Sequence, residues 1–357
     1  MPDAPPQPRV YAASSLSDAE CRALSEQAAR LGENSFDFPA HIEFIKLLHK
    51  GFAGHVEAGR EPTTYELLAE LRQARQAMDK IFSVGEDLWM AWLNDEILLS
   101  HSIDERLSLM ELFHRSVIEE PHSANLWRLY GDYMHHLWSS SYDITNDDIP
   151  GWSADDKEIG KEIFKWEPMM DVWEQGVAKT QSHLNDSQVV WDRYIEILVQ
   201  DQSRWPSPRK VENIKEKFAE RLVKKAHATW DQTFQNFSNF ISTHDNASYE
   251  ESMVNMSKRG QQVKKLYAGR EPFEFKIQQA VDNNDKDAEW AAYSEYLSWE
   301  LRMKGVFSAH RINGLFERAT VRFATDPRLW VDYIEFLIQN PDKEVHLGEI
   351  LERATRH

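Results

Sequence analysis

The dipeptide Glu317-Arg318 returns 35 residues later as Glu352-Arg353, and a carboxylate beside a guanidinium is a pair that can move a proton or grip an anion. Looser copies are Met78-Asp79-Lys80-Ile81, Phe113-His114-Arg115-Ser116 and Trp173-Glu174-Gln175-Gly176. A pair that recurs along the chain is what helix-to-helix bonding needs and what a single catalytic centre does not, so inter-helix hydrogen bonds and ion pairs are expected and catalysis is not. Metal chemistry has little to build on. The 14 histidines form no His-Glu-x2-His, and His135-His136 are neighbours rather than one helical turn apart, so they do not aim at one ion. Asp143, Asp147, Asp148, Asp155 and Asp156 lack the glycine and closing glutamate of a calcium loop and read as a solvated acidic insertion. No cofactor is expected.

One segment is basic. Between 204 and 225 stand Arg204, Arg209, Lys210, Lys215, Lys217, Arg221, Lys224 and Lys225, against Glu212, Glu216 and Glu220. On a helix, Lys217, Arg221 and Lys224 share one side, so with Arg209, Lys210 and Lys225 they are the candidates for contact with RNA or an acidic protein, although a solvated helix face is the ordinary reading.

The tryptophans place these groups on elements. Trp127 is followed by Tyr130 and Tyr133, Trp191 by Tyr194 and Ile197, Trp290 by Tyr293 and Tyr296, Trp330 by Tyr333 and Phe336. Trp89 with Trp92, and Trp230 with Thr233, Phe234 and Phe237, are looser copies. Offsets of three and six fall on one side of a helix and on both faces of a strand. Successive positions differ by 38, 64, 39, 60 and 40, so the unit is 38 to 40 residues with two intervals lengthened by insertions. These tryptophans are expected in the core rather than as platforms for stacked bases. Trp138, Trp152, Trp166 and Trp205 lie off the grid, either packing an insertion back onto the array or presenting a hot spot to a partner.

Each unit thus predicts an antiparallel helix pair, aromatic on its first helix and with a small residue on the second where the two approach closely. Neighbouring pairs must stack to bury what one pair leaves bare, which gives an all-α fold of the α-solenoid class. Residues 1–35 read as a Pro-rich leader and a capping helix, with Ser17-Asp18-Ala19-Glu20 as a capping box and Gly32 as the stop. Residues 36–357 read as about seven repeats, with insertions near 138–168 and 243–285. The last of them reads as truncated within its second helix.

Charge and composition narrow the function. With 41 Lys and Arg against 59 Asp and Glu the net charge is −18, which repels a phosphate backbone except at a local patch. The single Cys21 rules out an internal disulfide framework and fits a reducing compartment. No apolar run reaches the length that spans a bilayer, so no membrane role is expected.

The Trp-x2-Tyr helix followed by Phe316-Glu317-Arg318-Ala319 resembles the half-a-tetratricopeptide (HAT) repeat of eukaryotic RNA-processing proteins. The run Leu88-Trp89-Met90-Ala91-Trp92-Leu93-Asn94-Asp95-Glu96-Ile97 is similar to the opening repeats of the HAT-containing U4/U6 snRNP recycling factors. That resemblance implies a nuclear, non-enzymatic scaffold in pre-mRNA splicing. Its implied partners are spliceosomal snRNP proteins and ubiquitin-specific proteases, with a homodimer formed through later repeats and RNA bound by RNA-recognition motifs outside this chain. Alternatives are a HAT scaffold of pre-mRNA 3′-end cleavage and polyadenylation, and direct RNA binding through 204–225.

Overall fold

The computed structural model describes residues 10–144, 152–303, 308–341 and 345–356. Among them are seventeen α-helices and no strand. In chain order they are α1 (Asp18–Glu33), α2 (Phe38–Glu57), α3 (Leu68–Asp79), α4 (Glu86–Leu99), α5 (Ile103–Glu119), α6 (Ala124–Ser141), α7 (Ala154–Ile163), α8 (Trp166–Thr180) and α9 (Gln188–Arg204). Then come α10 (Pro208–Lys224), α11 (Trp230–His244), α12 (Tyr249–Ala268), α13 (Glu271–Asp282), α14 (Lys286–Arg302), α15 (Ala309–Arg322), α16 (Pro327–Gln339) and α17 (Leu347–Arg356). The fold is all-α and built of helical hairpins of the solenoid kind. Two compact units divide it, one of Met1–Glu119 with Gly348–His357, the other of Glu120–Leu347.

The first unit buries Leu24, Phe44, Ile45, Leu48, Phe52, Tyr65, Leu71 and Met78 in one core. Ser17 opens α1 through the expected capping box with Glu20. Gly32 does not stop that helix. It stays helical in the last turn, and Asn34 takes over as an extended C-cap whose N–H bonds to the Arg30 carbonyl. At the start of α4, Gly85 sits at φ +80°, where a side chain is strained. Glu119 caps this start from the end of α5: its Oε1 accepts from the backbone N–H of Val84 and Gly85 and from the Trp89 indole at 2.8 Å. Arg356 of α17 lies over the same corner, donating to the carbonyls of Asp79 and Phe82.

In the second unit α6 packs on α8, α9 on α10, α11 on α12, and α14 on both α13 and α15. In the α6–α8 and α11–α12 pairs the small residues at the close approach are glycines against indoles. A Cβ on Gly131 would stand 2.5 Å from the Trp173 ring, and one on Gly176 would stand 3.1 Å from Trp127. Gly260 lies equally tight under Trp230. The 138–168 insertion is not all loop. Asp155 and Asp156 form the first turn of α7, where Ser153 and Asp156 complete a capping box and the carboxylates suit the positive helix end. Asp147, Asp148, Pro150 and Gly151 lie outside the described residues.

Candidate functional site

The repeat tryptophans are walls rather than platforms. Trp89, Trp92, Trp127, Trp191, Trp230 and Trp330 are buried and Trp290 half-buried. Trp89 and Trp92 stack at 5.1 Å. The Trp127 indole donates to the Pro121 carbonyl at 2.8 Å and the Trp330 indole to Ala324 at 2.6 Å, each six residues back, while Trp230 reaches the Leu222 carbonyl. For Trp127 and Trp330 the N–H satisfies a carbonyl in the turn leading into the helix, and for Trp230 one in the last turn of the preceding helix. Tyr130 and Tyr293 are buried beside them.

Glu317 and Arg318 are also buried, and both bind across elements. Tyr333 Oη donates to Glu317 Oε1 at 2.8 Å. The Arg318 guanidinium forms a two-point bond with Glu274 of α13 at 2.7 and 2.8 Å. Burial alone would lower the Arg318 pKa, but the Glu274 carboxylate outweighs it and holds the arginine well above its ordinary value. The second copy differs: Glu352 is exposed and Arg353 half-buried.

The basic segment is largely committed to the fold. Lys210 pairs with Asp201 at 2.6 Å and Lys215 with Glu212 and Asp245. Lys217 pairs with Glu174 at 2.9 Å, and Lys225 bonds to Gln181. Arg221 corrects the expectation of a shared basic side. It is 3% exposed, bonded to Ser187 Oγ at 2.9 Å and set 5.5 Å from the Trp191 ring centre. Burial pushes its guanidinium down to about 10, opposed by Asp192. The signal for this was in the sequence, because Glu220-Arg221 repeats the Glu317-Arg318 dipeptide. Arg209 and Lys224 are exposed.

A junction that no motif announces lies in the second unit, at residues 181–187 between α8 and α9. Gln181 meets His310 of α15 at 3.0 Å, and Gly314 of the same helix leaves room for Ser182. Tyr267 of α12 donates to Asn185 at 3.0 Å, and the Ala228 N–H bonds to the Leu184 carbonyl. These partners lie up to 129 residues away, whereas a solenoid whose repeats touch only their neighbours makes no such bonds. Crowding there holds His183 well below, and Asp186 above, the usual values, burial being the main cause in each. The arrangement is a structural crosslink. Among the described residues no group of three or more His, Cys, Asp or Glu is placed to hold a metal, and no helix is long and apolar enough to cross a membrane.

No family model matches the chain. Over 318 residues, 89% of its length, it is 25% identical to the human protein named spliceosome associated factor 3, U4/U6 recycling protein, and equally to the Pongo abelii protein of that name. The chain is similar to a U4/U6 recycling factor. The zebrafish (Danio rerio) factor is 35% identical over a shorter stretch of 99 residues. The chain spans 27% of the length of the human and Pongo abelii relatives. Those relatives and the all-helical structure agree with HAT repeats as the source of the Trp-x2-Tyr and Phe-Glu-Arg-Ala periodicity.

Proposed function

We propose that this chain is a non-catalytic protein-protein interaction scaffold in pre-mRNA splicing, serving U4/U6 snRNP assembly and recycling in the nucleus. The observation that carries the reading is similarity to recycling factors along 89% of the chain, in a fold whose recurring tyrosine–glutamate pairs bond helix to helix. The residues best suited to acid-base work support it, since Glu317 is engaged by Tyr333 and Arg318 by Glu274. The repeat stack presents surface to spliceosomal snRNP proteins and ubiquitin-specific proteases. RNA is left to recognition motifs outside this chain, and later repeats supply a homodimer contact.

The test is a pull-down of nuclear extract on the immobilised chain, read by mass spectrometry. Enrichment of U4/U6 snRNP proteins over a Trp330→Ala control is expected. Recovery of cleavage and polyadenylation factors in their place, or salt-sensitive binding of bare U6 RNA without snRNP proteins, overturns the reading.

A further inference from the structure

Three of the four off-grid tryptophans are absorbed by packing: Trp138 and Trp166 meet edge to face at 5.0 Å, and Trp152 sits against Phe164. Trp205 is not. It ends α9 with its N–H bonded to the Asp201 carbonyl, and it remains 47% exposed. Its ring neighbours are cations, with the Arg204 guanidinium 5.4 Å and the Lys210 ammonium 5.8 Å from the ring centre. Pro206 and Pro208 bracket the turn that follows and restrict its backbone, and exposed Arg209 stands beside it. Among the described residues, Lys210 is neutralised by Asp201, while Arg204 and Arg209 have no carboxylate in ion-pair reach. Trp205 is thus an exposed indole next to arginines that, among the described residues, have no carboxylate partner, on a chain of net charge −18.

We propose that the corner formed by Trp205, Arg204 and Arg209 docks a short acidic peptide segment of a protein partner, its carboxylates on the two arginines and an apolar side chain against the indole. Charge complementarity selects the sign of the partner. The placement of the remaining basic residues selects its class. A single nucleic-acid strand needs a run of cations to track its phosphates and free aromatic faces for its bases. Here Lys215 and Lys217 are paired, Arg221 is buried and Lys225 is bonded to Gln181, so no cationic track leaves the corner along α10. The Trp205 ring is already flanked by Arg204 and Lys210. A compact acidic segment fits those limits.

The proposal deepens the scaffold reading and rests on it, but its test uses the purified chain alone, so the two fail separately. The whole chain is used to select from a displayed library of random short peptides, in parallel with the Arg204→Glu/Arg209→Glu double variant and with Trp205→Ala. The parent is expected to enrich net-acidic peptides with an aromatic or aliphatic residue, and synthetic copies should bind about tenfold more weakly to either variant. Lys224→Glu, an exposed cation at the far end of α10, should bind like the parent. Enrichment of the same acidic pool by the double variant, no enrichment at all, or tighter binding of a uridine-rich RNA oligonucleotide than of the selected peptides overturns the proposal. Thermal unfolding of each variant accompanies the binding data. If Trp205→Ala does not fold, the arginine double variant decides alone.

Discussion

The hydroxyl of Tyr333 donates to the carboxylate of Glu317 at 2.8 Å, joining the first helix of one hairpin to the second helix of the hairpin before it. Tyr194 does the same to Glu174 at 2.9 Å. Both tyrosines stand three residues after a repeat tryptophan, and both glutamates follow the aromatic residue of the second-helix signature. The two halves of the sequence pattern are therefore the two ends of one bond. Tyr333→Phe should cost about 1 to 2 kcal/mol, because Glu317 loses a donor at a buried site. Tyr194→Phe should cost less: the Glu174 side chain is 51% exposed and keeps Lys217. Urea unfolding of the two variants checks the order, and equal costs would separate the bond from the repeat lock.

Glycine substitutions test the close helix approaches. Gly131→Ala should destabilise by about 1 to 3 kcal/mol, since its Cβ would stand 2.5 Å from the rigid Trp173 ring. Gly32→Ala is the control. It lies in the last turn of α1 with nothing within 4 Å of the added carbon, so it should be neutral or gain up to about 1 kcal/mol. Melting temperatures of both variants measure the difference.

Much of the helical register was legible because tryptophan, tyrosine and small residues recur at helical offsets, and each recurrence has one physical cause. What remained hidden was tertiary. A helical wheel groups Arg221 with Lys217 and Lys224, and although the Glu220-Arg221 dipeptide marks it as a repeat residue, its contacts with Trp191 and Ser187 are set by how the helices pack. Glu274 carries no motif, and its importance exists only because Arg318 arrives from 44 residues away. Likewise the 181–187 turn is an ordinary polar connector until α15 and α12 close over it. Trp205 stood out by being off the grid, yet only the structure separates it from Trp138, Trp152 and Trp166, which are packed.

The Arg318–Glu274 pair is expected to be far more costly to halve than to remove. Both side chains are buried, Glu274 at 2% exposure, so Glu274→Gln leaves the guanidinium without its two-point carboxylate and should cost about 3 to 5 kcal/mol. The Glu274→Gln/Arg318→Met double variant should recover a good part of that loss, because the desolvated charge is gone. A double-mutant cycle by chemical denaturation gives the coupling directly, and additive losses would mean that the two residues act independently.

Acid should destabilise the second unit through its histidines before its carboxylates respond. Burial, with Arg221 nearby, pushes His227 down to about 3, and burial with Arg193 nearby pushes His135 down to about 4. The ordinary value is about 6.5. A histidine whose folded pKa is depressed contributes nothing to pH dependence above the unfolded value. Below about pH 6.5 the unfolded chain takes up a proton that the folded chain refuses, so stability falls as pH falls, by about 1.4 kcal/mol per pH unit for each such group at the limit. Asp186 and Asp192, both raised by burial, act in the opposite sense as the pH falls toward the ordinary aspartate range, so the total slope mixes the two. The difference between parent and His227→Gln isolates the histidine, since glutamine does not titrate and its own packing cost does not change with pH. Melting temperatures of the two proteins should converge as pH is lowered from 7 toward 4.5. Parallel curves over that range would show that His227 is protonated as easily in the folded chain as in the unfolded one.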